Sequence, residues 1–84
     1  MQWQVFPNPS NGLFNLSFQA AADEAITIKV YDVNGKTVYQ NSISGSGFVQ
    51  KINIDLRESR FATGLYLLEA KAGEMKQVFR LIKQ

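Results

Sequence analysis

Residues 25–40 read AITIKVYDVNGKTVYQ, and this stretch decides the fold. Apolar Ile26, Ile28 and Val30 alternate with Thr27, Lys29 and Tyr31, a period of two that belongs to a strand with one buried face. Asn34-Gly35 interrupts the alternation, and this pair tolerates the positive φ that a two-residue type I′ hairpin turn needs at both central positions. Whether two or four residues form the loop, parity sets Ile28 and Val30 on the same face as Tyr39, which is therefore expected in the core. Tyr31, Val33 and Val38 share the other face, with Tyr31 and Val38 expected as a partly exposed cross-strand pair worth about 0.2–1 kcal/mol.

The same period runs outward from this hairpin in both directions. Phe14, Leu16 and Phe18 alternate with Asn15, Ser17 and Gln19; Ile52, Ile54 and Leu56 with Lys51, Asn53 and Asp55; Tyr66, Leu68 and Ala70 with Leu67, Glu69 and Lys71. From Gln77 to Ile82, Phe79 and Leu81 fall on one side and Val78, Arg80 and Ile82 on the other, so this strand is expected to be covered on both faces. Turn signals separate the runs at residues 7–12, 20–24, 34–35, 44–47, 57–64 and 72–74. Ser59 to Thr63 allows a single helical turn at most before Gly64. About seven short strands in this length predict an all-β chain, an antiparallel immunoglobulin-like β-sandwich. Its core is expected to hold Phe14, Leu16, Ile28, Val30, Ile52, Ile54, Tyr66 and Leu68. The last strand is expected at a sheet edge, open to a partner or to a second copy in a homodimer.

An 84-residue chain has room for one domain, taken as residues 1–84, with residues 1–4 read as an added start or the end of a linker. Nine basic and seven acidic residues give a net charge of +2, and no run of like charge calls for nucleic acid. No apolar stretch approaches the roughly 20 residues of a membrane-crossing helix, and the N-terminus lacks the pattern of a signal peptide.

Histidine and cysteine are both absent, which removes the commonest general base, the usual zinc ligands and the Ser-His and Cys-His nucleophiles. Asp32 and Asp55 could in principle form an acid/base pair, but one precedes a turn and the other ends a strand, both common solvated positions. Asp32-Val33-Asn34-Gly35 resembles part of a calcium loop, yet the position of its closing Glu holds Ile43. Asn15-Leu16-Ser17 matches a glycosylation sequon inside a predicted strand. Trp3, Tyr31, Tyr39 and Phe48 could offer a stacking platform for sugars, although Tyr39 is core by parity, Tyr31 pairs with Val38, and Phe48 opens a strand. No cofactor and no catalytic residue is expected.

Three blocks remain. Phe6-Pro7-Asn8-Pro9-Ser10-Asn11-Gly12 fixes φ at two prolines, with Pro9 suited to the second position of a β-turn closed near Gly12. Tyr31-Asp32-Val33-Asn34-Gly35-Lys36 is the central turn. Ala62-Thr63-Gly64-Leu65-Tyr66-Leu67 places a glycine before a tyrosine that can form a tyrosine corner, its hydroxyl bonded to backbone a few residues upstream. In this order, and followed by a basic and apolar strand from Lys76 to Lys83, the blocks resemble the C-terminal sorting domain of type IX (Por) secretion systems, type A family. The opening matches its aromatic-Pro-Asn-Pro-x-x-Gly, the centre its Asp-hydrophobic-x-Gly-Lys turn, and the third block its small-x-Gly-x-Tyr-hydrophobic pattern.

The resemblance implies a non-catalytic address label whose signal residues would be Pro7, Asn8, Pro9, Gly12, Asp32, Gly35, Lys36, Gly64, Tyr66, Lys76, Arg80 and Lys83. It implies an N-terminal cargo domain in the parent protein, passage through the periplasm, and engagement of the outer-membrane translocon and its shuttle protein. A sortase-like cysteine peptidase would then remove the domain by cutting upstream of Trp3, leaving the cargo at the cell surface or secreted. The alternative is an immunoglobulin-like accessory module that binds polysaccharide or spaces domains.

Overall fold

A computed structural model describes residues 3–84, so the reading of Met1 and Gln2 falls outside the described residues. Seven strands follow one another: β1 (Trp3–Phe6), β2 (Leu13–Gln19), β3 (Ala25–Tyr31), β4 (Thr37–Ser44), β5 (Val49–Asp55), β6 (Gly64–Ala72) and β7 (Met75–Lys83). They form a three-stranded sheet of order β1-β2-β5 and a four-stranded sheet of order β4-β3-β6-β7, with all neighbouring strands antiparallel. The predicted antiparallel, immunoglobulin-like sandwich is therefore the observed one. Trp3 and Gln4, read as a linker end, belong to β1, which pairs with β2 from Trp3↔Phe18 to Phe6↔Asn15.

Alternation along the strands builds the core. Phe14, Leu16 and Phe18 from β2 and Ile54 from β5 face Ile28, Val30, Leu68 and Leu81 from the other sheet, all fully buried, and Tyr66 joins them at 5% exposure. Ile52, two residues earlier on β5, packs against this cluster only half-buried, so that one member of the expected core lies at its margin. Each fully buried aliphatic or aromatic side chain contributes about 1.5–3 kcal/mol, and a domain of this size has few to spare.

The central hairpin departs from the expected turn. Among its residues only Gly35 has positive φ (82°), so a type I′ turn, which needs it at two, does not form. Instead Gly35 N donates to Asp32 O (3.0 Å) and Asp32 N to Lys36 O (2.9 Å), a three-residue loop in which glycine adopts the left-handed conformation after a tight turn. A bulge follows: Tyr31 pairs with Thr37 but Val30 pairs with Tyr39, leaving Val38 as the extra residue. Tyr39 packs against the core as parity requires. Val38 does so too, because the bulge turns it inward, and the expected Tyr31–Val38 pair on the outer face is replaced by Tyr31 beside Thr37 and Leu67.

Strand β7 lies at the edge of the four-stranded sheet. It is covered on one face only. Phe79 and Leu81 point inward, whereas Val78 (55% exposed) and Ile82 lie on an open outer face, since among the described residues no element packs over that side of the sheet. The expectation of cover on both faces is thus corrected.

Candidate functional site

Register places the three blocks at the same end of the sandwich. Tyr31 at the end of β3 pairs with Leu67 near the start of β6, and Gly64 at that start pairs with Lys83 at the end of β7. Asp55 at the end of β5 pairs with Leu13 at the start of β2, so the 7–12 and 57–63 loops emerge beside the 32–36 turn and the C-terminal residues. We call this the motif end. The other end carries the 20–24, 45–48 and 73–74 turns.

The first block is joined to the last strand. Asn8 Nδ2 donates to Arg80 O (2.5 Å) and Asn8 Oδ1 accepts from Ile82 N (3.0 Å), so one carboxamide bridges two outward-facing backbone groups of β7. Ser10 N then donates to Ile82 O (3.0 Å) and Gln84 N to Ser10 O (2.8 Å), a parallel bridge opposite Lys83. Pro9 has no turn hydrogen bond around it. The loop is closed instead by Gly12 N on Ser10 Oγ (2.9 Å) and Leu13 N on Asn11 Oδ1 (3.2 Å). Gly12, at φ +117°, accepts at its carbonyl from Leu56 N, and a side chain there would meet Leu56 O at 2.7 Å. Glycine is required by both conformation and space.

In the second block the Asp32 carboxylate organises the turn, since Oδ1 accepts from Asn34 N and Lys36 N, each at 2.9 Å. An Asp side chain satisfying amides two and four residues on is the usual physical reason for Asp at this place. The Lys36 side chain is exposed. In the third block Gly64 takes φ +128° and Tyr66 Oη donates to Ala62 O (2.6 Å), the expected tyrosine corner. Burial, and secondarily the Asp32 carboxylate, raise the Tyr66 phenol above its ordinary pKa. Between the second and third blocks lies a cleft of about 310 Å³ lined by Asp32, Lys36, Val38, Arg60, Phe61 and Tyr66 among others.

The three basic positions of the last strand separate. Lys83 is buried at 7% exposure, and its Nζ donates to Glu58 O (3.2 Å) and Phe61 O (2.5 Å), tying the strand to the 57–63 loop. Arg80 is exposed on the outer face. Lys76 lies towards the other end, opposite Lys71 and 3.5 Å from Glu69. The motif end thus gathers Pro7, Asn8, Pro9, Gly12, Asp32, Gly35, Lys36, Gly64, Tyr66 and Lys83, with Arg80 at its border and Lys76 outside it. Sequence reasoning passed over Ser10, whose hydroxyl and backbone both hold the loop. The available signal was a serine two residues before a glycine amide, a spacing at which hydroxyls accept backbone N–H groups.

Residues weighed for other chemistry are scattered. Asp55 is held by Arg57 through Nε and Nη2, each at 2.9 Å, which with an Arg57 backbone bond lowers its pKa to about 2. Asp32 is occupied by its own turn. Trp3 stacks on Phe18 (4.9 Å between centroids, 17° between planes), Tyr39 packs on the core, Tyr31 is on the outer sheet face, and Phe48 is at the far end, so the four aromatics form no shared platform.

The sandwich thus collects its shaped turns and its C-terminal strand at one end. A family model described as a secretion system C-terminal sorting domain matches residues 4–84, essentially the whole described chain. The chain belongs to that family, the C-terminal sorting domains of type IX secretion, whose members are generally non-catalytic and mark proteins for export across the outer membrane to the cell surface or beyond. No curated protein matches the chain closely enough to count as a relative.

Proposed function

We propose that the translocon and its shuttle protein read this domain at the motif end, and that the turns there, more than any single side chain, carry the signal. The observation that supports this is convergence: strand register brings three blocks separated by tens of residues to one end of the sandwich, where the first block and the 57–63 loop are hydrogen-bonded to the end of β7. Asn8, Asp32 and Tyr66 set the shape of that surface, and Lys36 and Arg80 supply its exposed charge. Lys83 acts through position, holding the 57–63 loop against β7. After transport, a sortase-like cysteine peptidase cuts upstream of Trp3 and releases the cargo to the surface or the medium.

The test is a fusion of residues 3–84 and the native upstream linker behind a signal peptide and an inert reporter, expressed in a host with a type IX system. The reporter is expected at the surface or in the medium. Deletion of residues 80–84, or replacement of Gly64, is expected to leave it in the periplasm. Circular dichroism on each variant separates a lost signal from a lost fold. An intact, folded domain that leaves its reporter periplasmic would overturn the proposal.

A further inference from the structure

The outer edge of β7 is divided. Arg80 O, Ile82 N, Ile82 O and Gln84 N are taken up by Asn8 and Ser10. Because a residue on an edge strand turns both of its backbone groups to the same side and alternates with its neighbours, Val78 N–H, Val78 C=O and Arg80 N–H point to that same edge. Among the described residues none of these three has a partner across the edge. Beside them runs a groove of about 560 Å³ between β7 and β1, the edges of the two sheets, with Trp3, Val5, Phe6, Val78 and Phe79 along it. Unpaired backbone next to an apolar groove is the geometry that accepts an added strand.

Charge decides what strand that is. Lys76, Val78 and Arg80 share the outer face, with the Lys76 side chain 55% exposed despite its contact with Glu69. Arg80 has no acidic side chain within ion-pair distance among the described residues. A second copy pairing antiparallel about Val78 would set Lys76 of each copy opposite Arg80 of the other, two like-charge pairs directly across the ladder, which is unfavourable. A different strand with acidic residues at those two positions turns both pairs favourable.

We propose that the free half of the β7 edge, Lys76 to Arg80, is a docking strand for an extended segment of another protein with the pattern acidic-apolar-apolar-apolar-acidic. The two acidic residues sit opposite Lys76 and Arg80 and the middle residue opposite Val78. The second and fourth residues turn inward over Phe79 and Val5. The pattern is symmetric, so parallel and antiparallel docking satisfy it alike. This goes beyond the export reading and does not depend on it, since the binding is a property of the isolated domain.

The probe is a capped Glu-Val-Val-Leu-Glu peptide flanked by Gly-Ser, titrated into the full chain and followed by amide chemical shifts. Shifts are expected along Lys76–Arg80 and Trp3–Phe6, with binding at least about tenfold tighter than that of the same peptide with Lys for both Glu. N-methylation of the central Val is expected to abolish binding. The Lys76→Glu/Arg80→Glu double variant should invert the preference in favour of the Lys peptide, a reversal that a misfolded domain cannot produce. Equal binding of the two peptides, shifts confined to other surfaces, no binding at millimolar peptide, or a dimer formed through Val78 would each overturn the proposal.

Discussion

Lys83 and Lys76 lie on the same strand and offer a matched test of what burial does to a lysine. Lys83→Met keeps the unbranched stem and its packing but removes the ammonium that holds Glu58 O and Phe61 O. Two hydrogen bonds from a charged donor are worth about 1.5–3 kcal/mol each before compensation. Methionine regains the apolar contact and relieves the desolvation of the ammonium, and the Glu58 carbonyl, at an exposed residue, can turn to water. The half-buried Phe61 carbonyl cannot do so fully, so a net loss of about 2 kcal/mol remains, which for a domain this size lowers Tm by roughly 8–16 °C. Lys76→Met removes only an exposed contact 3.5 Å from Glu69 and should shift Tm by no more than a few degrees. Differential scanning calorimetry on both variants reads the contrast, with urea melts to check that m is unchanged. If the two variants melt together, Lys83 is not the latch described above.

Three further outcomes follow from the same geometry. Leu68→Ala, at a fully buried site in the centre of the four-stranded sheet, should cost about 2–5 kcal/mol by urea denaturation, enough to leave the domain marginal. Gly12→Ala should destabilise more than Gly35→Ala in the same assay, because the new Cβ meets Leu56 O at 2.7 Å at Gly12 but has nothing within 4 Å at Gly35, while both sites impose positive φ. Asp55 titrates at about 2 rather than the ordinary 3.8, so its folded pKa is depressed and the stability it contributes is complete above pH 4 and lost as pH falls towards 2. Arg57→Ala removes the guanidinium but keeps the backbone N–H at 57, so the carboxyl midpoint should rise from about 2 part of the way towards 3.8 in an NMR titration, and that part of the pH profile should become shallower.

The parts of the fold that follow from strict alternation were legible in advance. Phe14, Leu16, Ile28, Val30, Ile54 and Leu68 are buried because each falls on the apolar parity of a regular strand. Val38 was misplaced where that regularity breaks: a bulge adds one residue to one strand, and nothing in the identities of Thr37, Val38 and Tyr39 marks which will be extra. The turn at Asn34-Gly35 was found but its form was not, because Asp32 captures two amides with its side chain and stabilises the longer loop over the two-residue one. Lys83 shows the opposite failing. The parity that sends Phe79 and Leu81 inward sends Lys83 inward as well, and its charge obscured a signal that was present. The union of Asn8 and Ser10 with β7 joins residues more than seventy positions apart, and no local pattern announces such a contact.

That union has a mechanical consequence. Strand β1 begins at Trp3, at the end opposite the motif end, and Gln84 lies on the motif end, so a pull applied between these two points runs along the 36 Å long axis and along the strands. The Asn8–Ser10 segment lies parallel to β7, and tension applied in this direction slides the two past each other, so their hydrogen bonds share the load together where an unzipping geometry would break them singly. Yielding under force is governed by the rate of unfolding, and shared loading slows it. A domain built this way can be towed, or can anchor its load, without coming apart at the end where its turns and its last strand meet.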